Sequence, residues 1–294
     1  MRPTLSSDLG HALPYLALIG GMTSLSVGTS FAKQLFPLVG AEGTSTLRVG
    51  LSAVILLAIW RPWRFALSRD DAGRVLLYGA VLGLMNLCFY MSLRTIPLGL
   101  AIAIEFSGPL ALALIHSRRI IHFVLIALAV AGLGLLLPIW QGIERLDPVG
   151  VAFAALAGVF WALYIVFGQR LSHRHSGQSV AMGMTVAALV IAPFGIATAG
   201  LDLISPSILA LGLVVAIVSS ALPYSLEMFA LRSVPKRTFG VMLSGEPAIG
   251  ALAGLIILHE QLSSLQWLAI GLIITASVGA ILTTRREAQV TDTP

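Results

Sequence analysis

Five charged residues lie inside long apolar stretches of this chain, where a charge is costly unless it has a partner or a function. They are two basic and three acidic residues: Lys33, Arg48, Glu105, Glu227 and Glu246. A charge at the centre of a membrane helix costs about 2.5–3.5 kcal/mol, so it persists mainly beside a water-filled cavity or a partner. The mixed signs suit a zwitterion, whose ammonium needs an acceptor and whose carboxylate needs a donor. These five residues are candidates for substrate binding or coupling.

Two of the carboxylates stand close to helix-breaking residues, in "AIAIEFSGPLALAL" (101–114) and "VMLSGEPAIGALAG" (241–254). A proline has no N–H, so Pro109 cannot bond back to the carbonyl of Glu105, four residues earlier. That carbonyl is then free for water or a ligand, and Pro247 does the same for the carbonyl of Leu243. The candidates for helix kinks or gates are Gly108, Pro109, Pro223 and Pro247. The alternative is a kink that only shapes helix packing.

Polar and aromatic residues at helical spacing extend the set of binding candidates. They pair three or four residues apart on one helix face: Asn86 with Tyr90, Trp161 with Tyr164, and Tyr224 with Glu227. Asn86 is equally compatible with a structural role, because an amide hydrogen-bonds between membrane helices. Aromatic residues at helix ends usually form interfacial belts, which suits the remaining tryptophans better than Trp161.

The composition identifies the bilayer as the solvent for most of the chain. Of 294 residues, 57% are hydrophobic and 11% are charged, and the mean hydropathy is +0.94. A soluble domain of this length needs more charge to cover its surface. The basic pI of about 9.9 indicates loops that orient a membrane protein, and we expect no nucleic-acid partner. The single cysteine, Cys88, excludes an internal disulfide framework.

The apolar stretches predict an all-α integral membrane protein with ten transmembrane helices. About 20 apolar residues cross a bilayer as a helix, and turn sequences such as "FPLVG", "RPWR" and "SVPKR" separate the stretches. The predicted helices cover residues 12–34, 43–60, 74–94, 97–115, 121–138, 148–169, 178–199, 207–231, 238–258 and 264–282.

The basic residues predict that both termini are cytoplasmic. With the N-terminus inside, the cytoplasmic segments hold nearly all the loop arginines and lysines, and the outer segments hold little beyond Arg94 and Arg145. Cytoplasmic loops of membrane proteins carry this excess of basic residues. The orientation places Lys33 and Arg48 toward the outer side, Glu105 and Glu246 deeper, and Glu227 nearer the cytoplasm.

The two halves of the chain resemble each other. "SLRTIP" (92–97) returns as "ALRSVP" (230–235), and the same offset places Pro109 on Pro247. Five helices per half is an odd number, so the halves enter the membrane from opposite sides and form an inverted repeat, as in many secondary transporters. Chance similarity between apolar sequences is the alternative. The predicted divisions are a cytoplasmic segment, two five-helix repeats and a cytoplasmic tail: 1–11, 12–138, 139–282 and 283–294.

Four stretches carry a resemblance to a known family, from the first helix almost to the last. The chain resembles the drug/metabolite transporter superfamily of EamA type, and more narrowly its bacterial threonine/homoserine exporters. The matching stretches are "SFAKQLFPLVGA" (30–41), "TIPLGLAIAIEFSGPLALAL" (95–114), "SSALPYSLEMFAL" (219–231) and "KRTFGVMLSGEPA" (236–248). The resemblance implies an inner-membrane exporter of small amino acids that uses alternating access, without ATP and with protons as the expected coupling ion.

Other classes of protein have weaker support. An intramembrane enzyme would need a nucleophile with its base, or metal ligands, and the sequence holds no His-Glu-x-x-His and no phosphate-binding glycine loop. We therefore expect no catalytic residues, no metal and no cofactor. A channel fits less well than a carrier, because kinked midplane helices in an inverted repeat are typical of carriers. Within carriers, a broader metabolite or drug exporter stays open, and no oligomeric state is predicted.

Overall fold

The computed structural model describes residues 5–64, 69–96, 98–115, 120–136 and 147–257, and part of 259–279. All regular structure in these residues is helical. The α-helices between residues 5 and 257 of the described part are α1 Leu5–Lys33, α2 Phe36–Trp60, α3 Arg69–Ser92, α4 Leu98–Glu105, α5 Ser107–Ile115, α6 Ile120–Leu136, α7 Pro148–Ala199, α8 Pro206–Ala216, α9 Leu222–Leu231, α10 Lys236–Leu243 and α11 Glu246–Ile257. The predicted tail 283–294 and the predicted repeat boundary at 138/139 fall outside the described residues, and the predicted helix 264–282 falls partly outside them.

Six stretches among the described residues are long and apolar enough to cross a membrane. Each has 22 to 29 residues and holds few charges, as a bilayer span requires. Two further helical stretches, Ile120–Gly132 and Glu246–Ile257, are apolar but shorter. The six are Ala12–Lys33, Phe36–Arg64, Asp71–Ser92, Pro148–Gln169, Gly177–Ile204 and Pro206–Leu231.

The long helix α7 holds two spans that fold back on each other. Pro148–Ala199 is a single helical element, but it is not straight, because Gly168 and Gly183 both lie against the ring of Tyr78. Fifteen residues of straight helix would separate these glycines by about 22 Å. The chain must therefore reverse direction between the two spans, as the predicted helices 148–169 and 178–199 require.

Asp147 starts α7 as an N-terminal cap. Its carboxylate accepts hydrogen bonds from the backbone N–H groups of Val149 and Gly150, both at 3.2 Å, and Pro148 occupies the first turn, where no N–H is needed. The Thr95 hydroxyl, together with these N–H groups, holds the pKa of Asp147 below its ordinary value. The cap fixes the N-terminal end of α7.

Helix α2 begins earlier than its sequence indicates. Its first turn includes the predicted "FPLVG" turn, and the backbone breaks at Gly40, where φ is +71°. Glycine adopts this conformation without the steric cost that a side chain would add. The predicted turn is therefore a short helical segment at the start of α2, and the break at Gly40 separates it from the rest of that helix.

Two predicted helices are each broken into two. The predicted 97–115 helix is interrupted at Phe106, between α4 and α5, and the predicted 238–258 helix at 244–245, between α10 and α11. Helix α4 packs against α11, and α5 packs against α10. The two broken helices therefore contact each other: the first half of each packs against the second half of the other.

The 206–231 span is helical throughout but contains a π-helical turn, Ile217–Ala221, between α8 and α9. Serines of the neighbouring helices bond to the backbone there: Ser52 Oγ donates to the Ala216 carbonyl at 2.8 Å, and Ser24 Oγ donates to the Val218 carbonyl at 2.5 Å. A wide turn of this kind loosens the regular backbone bonding and is frequent at functional sites. These bonds hold the turn against α1 and α2.

Candidate functional site

A buried cavity of about 30 Å³ lies where α1, α2, α3, α4, α7, α9 and α11 meet. A volume of this size suits one or two water molecules, and a small amino acid is several times larger. The polar residues of its wall are Ser26, Thr29, Arg48, Asn86, Glu105, Tyr224, Glu227 and Glu246; the apolar ones are Leu25, Met85, Phe89, Ile102 and Trp161. The cavity is thus small, and the polar groups of its wall are mostly buried.

Arg48 is the cation of this wall, and neutral groups hold it. The residue is 2% exposed. Its Nε donates to Ser220 Oγ at 2.6 Å, its Nη1 to the Tyr90 hydroxyl at 2.9 Å, and its Nη2 to the Tyr224 hydroxyl at 3.3 Å. The guanidinium also lies over the Tyr90 ring, 5.1 Å from its centre, a favourable cation–π position. A guanidinium has five N–H donors, so it keeps bonding capacity for an anion.

Asn86 and Tyr224 extend the network around Arg48. The Asn86 amide nitrogen donates to the Tyr224 hydroxyl at 3.0 Å, and that hydroxyl lies 3.2 Å from Asn86 Oδ1. The same nitrogen donates to the Leu82 carbonyl at 2.8 Å, which fixes the amide. The hydroxyls and the amide together replace the water that a buried guanidinium loses.

Glu227 belongs to an aromatic cluster on the same wall. The Tyr164 hydroxyl donates to Glu227 Oε2 at 3.1 Å. Tyr164 stacks on Tyr78 with ring centres 5.4 Å apart and meets Tyr224 edge-on at 6.1 Å. Glu227 is therefore oriented by a fixed hydroxyl, and the residue lines the cavity.

Glu105 and Glu246 occupy opposite kinds of helix end. Glu105 is the last residue of α4, and Glu246 is the first residue of α11; both are buried. The partial negative charge of a helix C-terminus adds to Glu105 and favours a cation there, whereas the N-terminus of α11 favours the charge of Glu246. Glu246 Oε2 has no hydrogen-bond partner among the described residues.

The four kink candidates lie at these breaks or beside the π-helical turn. Pro109 and Pro247 are in the first turns of α5 and α11, and Pro223 is the second residue of α9, which follows the π-helical turn. A first-turn proline removes no helical hydrogen bond. Gly108 packs against the carbonyl of Gly158, and the carbonyl of Glu105 lies against Gly158 as well. The carbonyl that the sequence left free is thus packed against α7.

The structure brings most of the predicted site residues together and leaves one apart. Arg48, Asn86, Glu105, Trp161, Tyr224, Glu227 and Glu246 line the cavity. Tyr90 and Tyr164 stand behind it, bonded to Arg48 and Glu227. Lys33 is at the end of α1 and half-buried, and it is absent from the cavity wall. Despite their different predicted depths, Arg48 and the three glutamates share one cavity.

Sequence reasoning missed the contribution of small hydroxyl residues. Ser26 and Thr29 of α1 line the cavity, and Ser220 of the π-helical turn holds Arg48. Ser26 and Thr29 are three residues apart in an apolar helix, so helical spacing was the available signal. No group of three His, Cys, Asp or Glu side chains able to hold a metal ion occurs in the described part of the chain.

These features define a class: a multi-pass membrane protein whose helices enclose a buried cavity with charges of both signs. A family comparison makes the assignment more specific, because residues 148–282 match the model of the EamA-like transporter family. The chain belongs to this family.

The similarity to individual relatives extends over nearly the whole chain. The chain is 49% identical over 278 residues to the threonine/homoserine exporter RhtA of Escherichia coli (strain K12). This alignment covers 95% of the chain and 94% of the relative. The protein of that name from Salmonella typhimurium (strain SL1344) gives the same identity and coverage. A solved crystal structure superposes with a TM-score of 0.72 at 20% sequence identity, and the superposition covers 92% of this chain and 98% of the other chain. That likeness concerns the fold alone.

Proposed function

We propose that this protein exports small amino acids of the threonine and homoserine type across the bacterial inner membrane, as a secondary transporter and not as an enzyme. The observation that carries the proposal is the cavity itself, whose wall includes Arg48 and three carboxyl groups. A zwitterion needs a cationic partner for its carboxylate and an acceptor for its ammonium. The names of the relatives, threonine/homoserine exporter, support the same substrate class.

Arg48 is the proposed binding site for the substrate carboxylate. Its hydrogen bonds go to neutral hydroxyls, so its charge is not neutralised by a direct ion pair among the described residues. A guanidinium binds a carboxylate through two parallel hydrogen bonds. Rearrangement of the Tyr90 or Tyr224 hydroxyl would expose the donors needed.

Glu105 is the proposed partner of the substrate ammonium. Its carboxyl group stands at the C-terminal end of α4, where the helix dipole also attracts a cation. Helix ends of this kind coordinate cations in transporters with broken helices. Glu246 either shares this role or carries the coupling proton.

Proton coupling follows from the charges of the cavity. Three carboxyl groups share it with the guanidinium of Arg48, and several uncompensated charges at membrane depth are costly. We propose that the proton gradient drives export through protonation of one carboxyl group, with the bilayer, protons and the amino acid as the partners of the protein.

Alternating access requires two states, and we propose that two inverted five-helix repeats supply them. Helices α4 and α10 have equal lengths and bounds separated by the offset that relates "SLRTIP" to "ALRSVP". The contact of α4 with α11 is then the counterpart of the contact of α10 with α5. Both termini are cytoplasmic in this arrangement of ten helices. Exchange of conformations between the halves would open the cavity to either side.

A broader metabolite or drug exporter is the second candidate function. Met85, Phe89 and Trp161 give the cavity an apolar wall, and flexible or aromatic side chains accept varied ligands. Purified protein in proteoliposomes, tested with a panel of labelled amino acids and with and without a proton gradient, separates the two. We expect uptake of threonine and homoserine that responds to the gradient. Transport of bulky apolar drugs without amino-acid transport would overturn the proposal.

A further inference from the structure

Ser26 has a buried hydroxyl that no protein group satisfies. The residue is 1% exposed and lines the cavity, and its Oγ has no hydrogen-bond partner among the described residues. A serine in a helix can bond to the carbonyl one turn earlier, and Ser30 does so by donating to the Ser26 carbonyl at 3.0 Å. Ser26 does not. A buried hydroxyl without a partner is unfavourable, so this group is poised for a water molecule or a ligand.

A second unsatisfied atom lies on the facing helix. Glu246 is 4% exposed, and its Oε2 also has no partner among the described residues. Gly250 follows one turn later on the same face of α11, and a Cβ at Gly250 would lie 3.9 Å from Ser26 Oγ. Ser26 therefore faces the stripe of α11 that carries Glu246, and the two unsatisfied atoms line one cavity from opposite helices.

The missing side chain of Gly250 lets Ile102, a residue of the cavity wall, pack closely against α11 beside Ser26. A Cβ there would come within 2.7 Å of Ile102 Cδ1, which is closer than real Cβ atoms approach. The whole cavity that Ser26 lines, about 30 Å³, is the size of one or two water molecules. A single hydroxyl group fits such a space, and it can replace the hydrogen bonds of a water.

We propose that Ser26 and Glu246 form a subsite that recognises the side-chain hydroxyl of the transported amino acid. A hydroxyl both donates and accepts hydrogen bonds, so it can donate to the Glu246 carboxyl group while it accepts from Ser26. A methyl group in the same place would leave both buried groups unpaired, which is how sites that bind a hydroxyl reject analogues without one. This inference rests on the proposed amino-acid export and adds the feature that selects among small amino acids.

The test is competition in counterflow of labelled threonine into proteoliposomes. Valine has the shape of threonine with a methyl group in place of the hydroxyl, and norvaline has the same relationship to homoserine. We expect the wild-type protein to prefer each hydroxyl amino acid over its analogue. In the Ser26→Ala variant this preference should be about tenfold smaller than in the wild type. The Ser26→Thr variant, which keeps a hydroxyl, should retain part of the preference.

Ser45→Ala is the matched control. Ser45 is also buried with an unpartnered Oγ among the described residues, yet it does not line the cavity. Its removal should leave the preference unchanged. If Ser26→Ala carries too little flux, thermal stabilisation of the purified variant by threonine and by valine measures the same ratio.

The outcomes distinguish failure of the hydroxyl subsite from failure of the export function. Threonine transport with an unchanged ratio in Ser26→Ala, or with no preference in the wild type, overturns the hydroxyl subsite and leaves the export function standing. A wild-type protein that moves no amino acid overturns the export function itself.

Discussion

Asn86 and Tyr224 are hydrogen-bonded to each other across 138 residues of sequence, at 3.0 Å and 3.2 Å. The same separation relates Pro97 to Pro235 and Pro109 to Pro247, so the two bonded residues stand at equivalent positions of the proposed repeats. In an inverted repeat, a residue contacts its own equivalent only beside the pseudo-two-fold axis, where substrate sites of such transporters lie. The bond therefore supports the proposed inverted repeats, and both of its residues line the cavity.

Arg48→Lys tests the role of the guanidinium. Lysine keeps the positive charge but loses the planar fork that binds a carboxylate through two bonds. We expect the apparent affinity for threonine in counterflow to fall about ten- to a hundredfold, corresponding to about 1.5–3 kcal/mol. Arg94→Lys is the control, because its ion pair with Glu42 (3.1 Å) involves a half-exposed arginine and such pairs contribute little. An unchanged affinity in Arg48→Lys would refute carboxylate binding by Arg48.

Glu105→Gln and Glu246→Gln test the division of roles between the carboxyl groups. Glutamine keeps the shape and removes the charge, so membrane insertion should survive. Glu105→Gln should weaken substrate binding about ten- to a hundredfold, because a charge-assisted bond to the ammonium is lost. If Glu246 carries the proton, Glu246→Gln should keep counterflow and lose gradient-driven flux. Both assays are compared at matched protein levels, and wild-type rates for both variants would assign the carboxyl groups a structural role.

Gly108→Ala tests the close approach of α5 to α7. An added Cβ would collide with the Gly158 carbonyl, and overpacking of this kind costs about 1–3 kcal/mol. We expect a lower midpoint of thermal unfolding in detergent. Gly50→Ala is the control, because nothing lies within 4 Å of a Cβ there, and alanine favours a helix. Equal midpoints for Gly108→Ala and the wild type would show that the approach is not tight.

A fusion at the C-terminus tests the predicted orientation. The distribution of arginine and lysine places both ends of a ten-helix chain in the cytoplasm. A reporter enzyme active only outside the cytoplasm should stay silent after Pro294, while one active in the cytoplasm should report. High activity of the first reporter would overturn both the orientation and the even number of helices.

The membrane class and most of the spans could be predicted from the sequence, because both depend on local properties. Apolar runs of bilayer length determine where helices form, whatever the rest of the chain does. The prolines at Pro109 and Pro247 also indicated irregular helices. The sequence did not predict that the helix ends at Phe106 or that the carbonyl of Glu105 packs against Gly158. These features depend on a close contact with a helix more than forty residues away.

The sequence by itself determined that five charged residues lie in apolar stretches. Because burying a charge is costly, all five were equally strong candidates for a functional site. Only the tertiary structure separated them. Helices far apart in the chain bring Arg48, Glu105, Glu227 and Glu246 to one cavity, and Lys33 is left outside it. Ser26 drew no attention in the sequence, because a helical serine usually satisfies itself with its own backbone. The packing of α11 against α1 buries this hydroxyl without a partner among the described residues, and burial makes an unpaired polar group costly.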